Sequence, residues 1–336
     1  MTSLMTYGAA TRLALATEMR ADPSVWALGE DIAVEGGTGG QYRDLVCEFG
    51  ATRIVSTPIS ESTIAGAGVG AAVTGTRPVV ELRYADLMIC ATDEIINQAA
   101  KIRYMFGGQA RVPMVIRGAG GIAPGTAAHH SQSLEAIWVH IPGLTVVAPA
   151  TPQDAYSLLR ASIRADDPVV FLEHKLLLNV EGEVDPDSAP IRIGAAAVAR
   201  EGDDVTVVAW SAMVRQALAA AEELAADGVS VEVIDLRSLW PWDRETVLGS
   251  VRKTGRLVVA HEAVRAGGFG GEIVAEVSEH AWGDLKAQPV RIGAPRAPVP
   301  FAASLEAEVL VTAVHIAGAV RQTLDRSAVL APASGR

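Results

Sequence analysis

The apolar positions of the chain follow two alternating patterns. Short runs rich in β-branched residues are typical of buried strands, and they lie at residues 24–28, 53–56, 78–82, 113–117, 144–148 and 169–173. Between them lie longer stretches in which apolar residues recur at helical spacing, such as residues 92–105. Strands that alternate with helices predict an α/β fold with a parallel sheet covered on both faces.

Two sequence signals mark helix starts. Thr151 is followed by Pro152 and Asp154, which predicts a helix capped by Thr151 with Pro152 in its first turn. Ser211 precedes an apolar helical stripe that ends before Gly228, so we expect Ser211 to cap another helix.

The pattern lapses once, at residues 181–195, where Gly182, Pro186 and Pro190 leave no clear period. We interpret this segment as a linker. A second α/β block follows, with strands expected at residues 204–210, 229–235 and 256–260. The sequence thus predicts two domains, residues 1–180 and 196–326, and a tail of small residues at 327–336 that we expect to be disordered.

Composition narrows the class of protein. The 336 residues are 49% hydrophobic and 20% charged, which describes a globular protein with large cores. The net charge of −11 argues against nucleic acid or an anionic membrane as a partner, and leaves docking to a basic protein open. No signal peptide and no apolar run of roughly 20 residues is visible, so we expect a soluble, cytoplasmic protein.

The first candidate for chemistry is Glu61, which follows a predicted strand and the turn at Pro58. It opens a helix built largely of alanine and glycine, which lets another backbone approach closely and favours a subunit contact. An acid in the first turn also stabilises the helix dipole and needs no other role. The residues alone leave both interpretations open.

The second candidate is the pair His129 and His130, in a glycine-rich loop beyond a predicted strand. Loops at the carboxyl ends of strands are where α/β proteins bind ligands. No further metal ligands stand at suitable spacing, so proton transfer and a solvated loop histidine remain the two interpretations. The glycines around Gly267, ahead of another predicted helix, favour a tight turn over a phosphate cradle.

These blocks together resemble the β subunits of the thiamine-diphosphate-dependent pyruvate, branched-chain 2-oxo acid and acetoin dehydrogenases. The resemblance covers nearly the whole chain. Its marks are Gly29-Glu30-Asp31, Thr57-Pro58-Ile59-Ser60-Glu61, Asn97-Gln98-Ala99-Ala100-Lys101, His130-Ser131-Gln132, His140-Ile141-Pro142-Gly143-Leu144, Asp167-Pro168-Val169-Val170-Phe171 and Val233-Ile234-Asp235-Leu236-Arg237. The segments Arg103-Tyr104-Met105-Phe106-Gly107-Gly108 and Glu173-His174-Lys175-Leu176-Leu177 look most like the acetoin branch.

The resemblance implies a parallel-sheet pyrimidine-binding domain followed by a transketolase C-terminal-type domain. It implies an α2β2 heterotetramer with thiamine diphosphate between the subunits. The α subunit would supply the Gly-Asp-Gly and Asn-Asn motifs that hold Mg²⁺ and the diphosphate, since this sequence has neither. Further implied partners are a dihydrolipoyl acyltransferase core and its lipoyl domain.

The resemblance also assigns residues. Glu61 would hydrogen-bond the pyrimidine N1′, and His130 would assist proton transfer and reductive acylation of the lipoyl group. Ile59, Arg83 and Leu87 would line the cofactor site. A potassium site built largely from backbone carbonyls would involve Val112, Met114, Ser162, Ala165 and Asp167.

Two positions depart from the family pattern. Leu87 stands where relatives have Phe or Tyr against the pyrimidine, which removes a ring–ring contact worth roughly 0.5–1.5 kcal/mol. Arg83 stands where relatives carry Gln or Met, and it could hold an anionic substrate group or form an ordinary salt bridge. His129 replaces the usual Gln.

Three functions follow from this comparison. The first is cleavage of a 2-oxo acid or acetoin with transfer of the acyl unit to a lipoyl domain. The second is half of a split transketolase or carboligase with an aldehyde or sugar acceptor, which Arg83 and Leu87 keep open. The third is a non-catalytic interaction subunit, against which the presence of both Glu61 and His130 argues.

Overall fold

A computed structural model describes residues 2–325, and its first sheet has seven strands. Six are parallel: β2 (Val25–Glu30), β3 (Ile54–Thr57), β4 (Arg77–Tyr84), β5 (Val115–Gly120), β6 (Thr145–Val147) and β7 (Val169–His174). The order across the sheet is β12-β6-β7-β5-β4-β2-β3. β12 (Ser238–Trp240) comes from the second half of the chain and runs antiparallel to β6, which joins the two halves.

Helices cover both faces of this sheet, as predicted. The helical segments of the first half are α1 (Tyr7–Ala21), α2 (Leu45–Phe49), α3 (Glu61–Val73), a 3₁₀ helix at Ala85–Ala91, a π-helical turn at Glu94–Ala99, α4 (Ala100–Met105), α5 (Glu135–Val139), α6 (Pro152–Arg164) and a 3₁₀ turn at Lys175–Leu177. One apolar core lies between the sheet and the α1–α6 pair, and another lies between the sheet and α3.

The second sheet has the order β14-β13-β10-β11-β9. Its strands are β9 (Ala197–Arg200), β10 (Val205–Ala209), β11 (Val231–Asp235), β13 (Leu257–Val264) and β14 (Val290–Ala294), and only β9 is antiparallel to its neighbour. Its helices are α7 (Ala212–Ala225), α8 (Arg244–Thr254), α9 (Gly270–Ala281), a 3₁₀ turn at Trp282–Asp284, α10 (Ala303–Glu306) and α11 (Ala313–Leu324).

Of the two helix caps predicted from the sequence, the one at Thr151 is confirmed and the one at Ser211 is wrong. The Thr151 hydroxyl accepts the Asp154 N–H at 3.1 Å, so the predicted cap of α6 is confirmed. Ser211 makes no capping hydrogen bond, because its left-handed backbone, at φ +52°, does not adopt the extended conformation usual for a cap.

The predicted linker contains regular structure. Residues Glu181–Val184 form β8, which pairs antiparallel with β1 (Ser3–Thr6). Residues 181–184 are therefore a strand and not irregular, while the division into two domains at residues 181–195 stays a prediction. The partner strand lies far away in sequence, and a polar segment this short carries little apolar alternation. The expected tail at 327–336 lies outside the described residues.

Within residues 2–325, no helix combines the length and apolar composition needed to cross a membrane. The parallel strands β2, β3, β4, β5 and β7 all end at one edge of the first sheet. The chain crosses over between β3 and β4 so that β2 and β4 become neighbours, which makes a topological switch point at this edge.

Candidate functional site

The sheet brings the candidate residues to one edge. Glu61 follows β3, Leu87 follows β4, and His130 lies in the loop after β5. The Ser62 hydroxyl donates to the Cys90 carbonyl at 2.7 Å, which fastens the start of α3 to the 3₁₀ helix that carries Leu87. The Tyr84 and His130 rings lie 4.7 Å apart, which fastens the end of β4 to the histidine loop.

Glu61 is the first residue of α3 and is half-buried. Among the described residues its carboxylate accepts no hydrogen bond and makes no ion pair, so it is free to bind a ligand. The small residues of α3 explain how closely this helix packs against β4. A Cβ added at Gly68 would lie 2.5 Å from Val80 Cγ2, so only glycine fits there.

Two apolar side chains accompany Glu61. Leu87 is half-buried in the 3₁₀ helix packed against α3, and Ile59 leaves 70% of its surface exposed just before the helix.

Arg83 stands in a distorted part of β4. Its backbone is left-handed at φ +53°, and the β4–β5 register shifts between Glu81 and Tyr84, as in a bulge that re-aims a side chain. The guanidinium lies 3.4 Å from Glu30 and 3.0 Å from Glu35. These carboxylates, with burial opposing them, hold the pKa of Arg83 above its ordinary value. Arg83 therefore forms ordinary salt bridges, which was one of the two interpretations that the sequence left open.

His130 is half-buried against Tyr84, and its Nδ1 atom is buried without a hydrogen-bond partner among the described residues. His129 beside it is exposed.

Sequence reasoning did not single out two residues that contact the histidine loop, Asp86 and Lys175. Asp86 Oδ1 accepts the backbone and side-chain N–H groups of Gln132 at 2.9 and 3.0 Å. Lys175 donates to the Gly121 carbonyl at 3.0 Å and lies 5.2 Å from the centre of the Tyr84 ring. In the sequence, Asp86 lies between Arg83 and Leu87, the two positions that differ from the family pattern. Lys175 lies in a segment that resembles the acetoin branch. Both could have been singled out by position.

Burial lowers the pKa of Lys175 below its ordinary value, while the Asp86 and Glu262 carboxylates oppose that shift. Lys175 nevertheless keeps contact with an anion, since its Nζ lies 4.0 Å from Asp86. Lys175 and His130 therefore both lie close to the Tyr84 ring.

A buried charge cluster lies beneath the edge. Arg117 on β5 is fully buried and forms a two-pronged pair with Glu173 on β7, with both contacts of Nη2 at 2.7 Å. It also lies 3.4 Å from Glu81 on β4, which accepts the Tyr42 hydroxyl at 3.0 Å. Burial raises the pKa of Glu81 to about 8, against the opposing charge of Arg117. This cluster ties three strands together directly below the candidate site.

The five residues implied for a potassium site already have protein partners. The Ala165 carbonyl accepts from Arg77 at 2.8 Å, and Asp167 pairs with Arg103 at 2.5 Å. The Ser162 hydroxyl donates to the Leu158 carbonyl. The carbonyls of Val112 and Met114 accept backbone N–H groups of Met114 and Val169. Within residues 2–325, no cluster of three His, Cys, Asp or Glu side chains could hold a metal ion.

The glycine cluster around Gly267 forms the tight turn ahead of α9. Gly268 and Gly270 approach the buried His261 ring so closely that an added Cβ would lie 2.6 and 2.8 Å from it. Packing against His261 therefore accounts for these glycines.

Comparisons with known proteins support the two-domain fold. Residues 3–181 match the transketolase pyrimidine-binding domain, and residues 194–316 match the transketolase C-terminal domain. The solved structure titled split gene transketolase, inactive beta4 tetramer, is similar with a TM-score of 0.78 and 25% identity, over 95% of this chain and 98% of that one. The predicted two-domain α/β fold is confirmed.

Curated relatives match over nearly the full length of the chain. The acetoin:2,6-dichlorophenolindophenol oxidoreductase subunit beta of Cupriavidus necator is 45% identical, over 93% of this chain and 95% of that protein. The 2-oxoisovalerate dehydrogenase subunit beta of Bacillus subtilis is 41% identical, over 96% and 99%. The mitochondrial pyruvate dehydrogenase E1 component subunit beta-1 of Oryza sativa is 44% identical, over 97% and 88%. The chain therefore belongs to the family of β subunits of the thiamine-diphosphate-dependent 2-oxo acid and acetoin dehydrogenases.

Proposed function

We propose that this chain is the β subunit of a dehydrogenase that cleaves a 2-oxo acid or acetoin and passes the acyl unit to a lipoyl domain. The observation that carries the proposal is the free Glu61 carboxylate at the sheet edge, fastened through Ser62 and Cys90 to the helix of Leu87. The likeness to dehydrogenase β subunits over more than nine-tenths of the chain supports the same function.

The residues at this edge fit the pyrimidine half of thiamine diphosphate. The Glu61 carboxylate would accept a hydrogen bond from pyrimidine N1′ and so hold a proton at that atom. Leu87 and the exposed Ile59 would give apolar contact to the ring. When bound, the cofactor would supply an acidic carbon, thiazolium C2, whose deprotonated form is a nucleophile for a carbonyl, and a thiazolium ring that accepts electrons.

His130 would hold or release a proton on the substrate side of the site. Tyr84 packs on the ring and fixes its plane, so the imidazole would be held in one orientation for proton transfer. Arg83 is committed to Glu30 and Glu35, so its effect on an anionic substrate would be through the local charge.

The diphosphate half of the cofactor needs a second chain. The sequence lacks the Gly-Asp-Gly and Asn-Asn motifs for Mg²⁺ and diphosphate. We therefore propose an α subunit that supplies them in an α2β2 heterotetramer, with a dihydrolipoyl acyltransferase as the further partner and the cytoplasm as the location. A potassium ion at Val112, Met114, Ser162, Ala165 and Asp167 would share the Ala165 carbonyl with Arg77.

A split transketolase or carboligase is the second candidate, because the chain is similar to a split-gene transketolase at a TM-score of 0.78. Its 25% identity is well below the 45% to the acetoin-linked relative, which favours the dehydrogenase. A non-catalytic interaction subunit is disfavoured, since it would have no need of the free Glu61 carboxylate.

The test is to co-express this chain with the α subunit and assay the complex with an artificial electron acceptor. Acetoin, pyruvate, branched-chain 2-oxo acids and ketose phosphates would be compared as substrates. We expect turnover of acetoin or a 2-oxo acid, followed by acylation of a lipoyl domain. Turnover of ketose phosphates alone would identify the transketolase, and an inactive complex with bound cofactor would identify an interaction subunit.

A further inference from the structure

The loop that carries His130 is closed at its base. The Gly121 N–H donates to the Gln132 carbonyl at 3.2 Å, so residues 121–133 leave the sheet edge and return to the same place. Compact surface loops of this kind are held by their own packing and by contacts at the base. The contacts at the base therefore position the His130 ring together with Tyr84, which packs on that ring.

One carboxylate of the second domain holds both ends of this loop. Glu262 Oε2, on β13, accepts the Ile122 N–H at 3.0 Å and the Ser133 hydroxyl at 2.9 Å. The same oxygen lies 3.1 Å from His174 Nε2, at the end of β7. We call these four residues the Glu262 clamp.

The third contact of the clamp has a defined donor. His174 Nδ1 accepts the Leu176 N–H at 3.2 Å, so the ring proton lies on Nε2 and is donated to Glu262. Gly121 makes room for this contact. It has φ +82°, and an added Cβ would lie 2.0 Å from His174 Nε2 and 2.7 Å from Glu262 Oε2.

The clamp keeps Glu262 ionised although it is nearly buried, with 10% of its side chain exposed. Burial would raise the pKa of Glu262, but the His174 ring, the Ile122 N–H and the Ser133 hydroxyl hold it below its ordinary value. Hydrogen bonds to an ionised acceptor are about twice as strong as neutral ones. A second acid of this domain, Glu306, accepts the Gly125 N–H at 3.3 Å.

We infer that Glu262 is a positioning residue for His130, so that the second domain sets the geometry of a proton-transfer group in the first domain. The inference rests on the role proposed for His130. Glu262 would touch neither cofactor nor substrate, and it would act only through the loop 121–133.

Hydrogen–deuterium exchange of the free chain tests the positioning without any partner or cofactor. Glu262→Ala removes the acceptor, and Glu262→Gln keeps one acceptor oxygen without the charge. We expect amides of residues 121–133 to exchange about tenfold faster or more in the alanine variant, and by a smaller factor in the glutamine variant. Unchanged exchange in a folded variant of either kind would overturn the inference.

Glu232→Gln is the matched control. Glu232 is a buried acid of the same sheet, and its partners Ser250 and Lys253 both lie in the second domain. We expect this variant to leave exchange of residues 121–133 unchanged. Equal acceleration in the control would mean that loss of any buried acid loosens the loop.

A double-mutant cycle in the complex with the α subunit separates positioning from simple domain docking. If Glu262 acts through His130, Glu262→Gln should lower kcat severalfold alone and by less than about twofold in the His130→Ala background. Multiplicative losses would contradict that coupling. Full kcat in His130→Ala would refute the proposed role of His130, and the exchange result would still decide whether Glu262 holds the loop.

Discussion

At the scale of single residues, the sequence left two interpretations of Arg83, a contact to an anionic substrate group or an ordinary salt bridge. The contacts in the structure favour the salt bridge. The side chain is shared between Glu30 and Glu35, so the three groups together carry a net charge of −1 at neutral pH. Arg83 therefore screens two carboxylates next to the candidate cofactor site. Its bulged, left-handed backbone fits a position where the strand bends to present a side chain.

We expect Arg83→Gln to raise KM for pyruvate and other anionic 2-oxo acids and to leave KM for neutral acetoin nearly unchanged. The substitution changes the local charge from −1 to −2, which repels an anion and does not affect a neutral substrate. The measurement is steady-state kinetics on both classes of substrate at low salt. Equal effects on the two classes would make Arg83 a structural residue.

At the scale of secondary-structure elements, the sequence predicted the strands of both sheets that carry continuous β-branched runs. β3, β4, β5 and β7 lie within a few residues of their predicted positions. The sequence did not predict β8 or β12, because each is short and pairs with a strand far away along the chain. Pairings of that kind leave no local period.

The residues of the candidate site divide in the same way, into those marked by a local sequence motif and those that depend on long-range contacts. Glu61 and His130 could be found because each lies in a recognisable motif. Glu262 could not be singled out, since it contacts Ser133 across 129 positions of sequence. Nothing near Glu262 in the sequence signals that contact, which depends on how the two domains pack.

Helix α3 uses its small residues on two faces. Gly68 packs inward on Val80, which accounts for that glycine within the chain, whereas an added Cβ at Gly70 would meet no atom within 4 Å.

We expect Gly70→Leu to fold normally as a free chain and to fail to assemble with the α subunit. Light scattering of the mixed subunits measures this. Normal heterotetramers would exclude this face of α3 as the interface.

The buried cluster of Arg117, Glu81 and Glu173 makes a stability prediction for the strands beneath the site. Arg117→Met leaves the Glu173 carboxylate buried without its cation and should lower the free energy of unfolding by about 3–5 kcal/mol. Urea unfolding measures it. Arg103→Met, which breaks the exposed pair with Asp167, is the control and should cost far less. Equal losses would mean that burial of the cluster adds nothing.

At the scale of the whole molecule, the proposed function makes this chain half of a cofactor site. Glu61, Ile59 and Leu87 would contact the pyrimidine end of the cofactor, and the sequence lacks the motifs for the diphosphate end. The chain carries a net charge of −11, which favours basic modules as further partners.

We therefore expect the isolated chain to bind thiamine diphosphate weakly or not at all, even with Mg²⁺ present. Titration calorimetry on the purified subunit measures this, with the complex formed with the α subunit as the positive control. Micromolar binding by the isolated chain would mean that the cofactor site lies elsewhere.

In the proposed function, Glu61 holds the proton at pyrimidine N1′. Hydrogen–deuterium exchange at thiazolium C2, in the complex with the α subunit, measures whether it does. Glu61→Gln keeps the shape of the side chain and removes its charge, so exchange should slow by about 10²–10⁴-fold while the cofactor stays bound. Near-normal exchange in Glu61→Gln, with only a lowered melting temperature, would leave Glu61 as an acid that stabilises the start of α3 and would contradict the account.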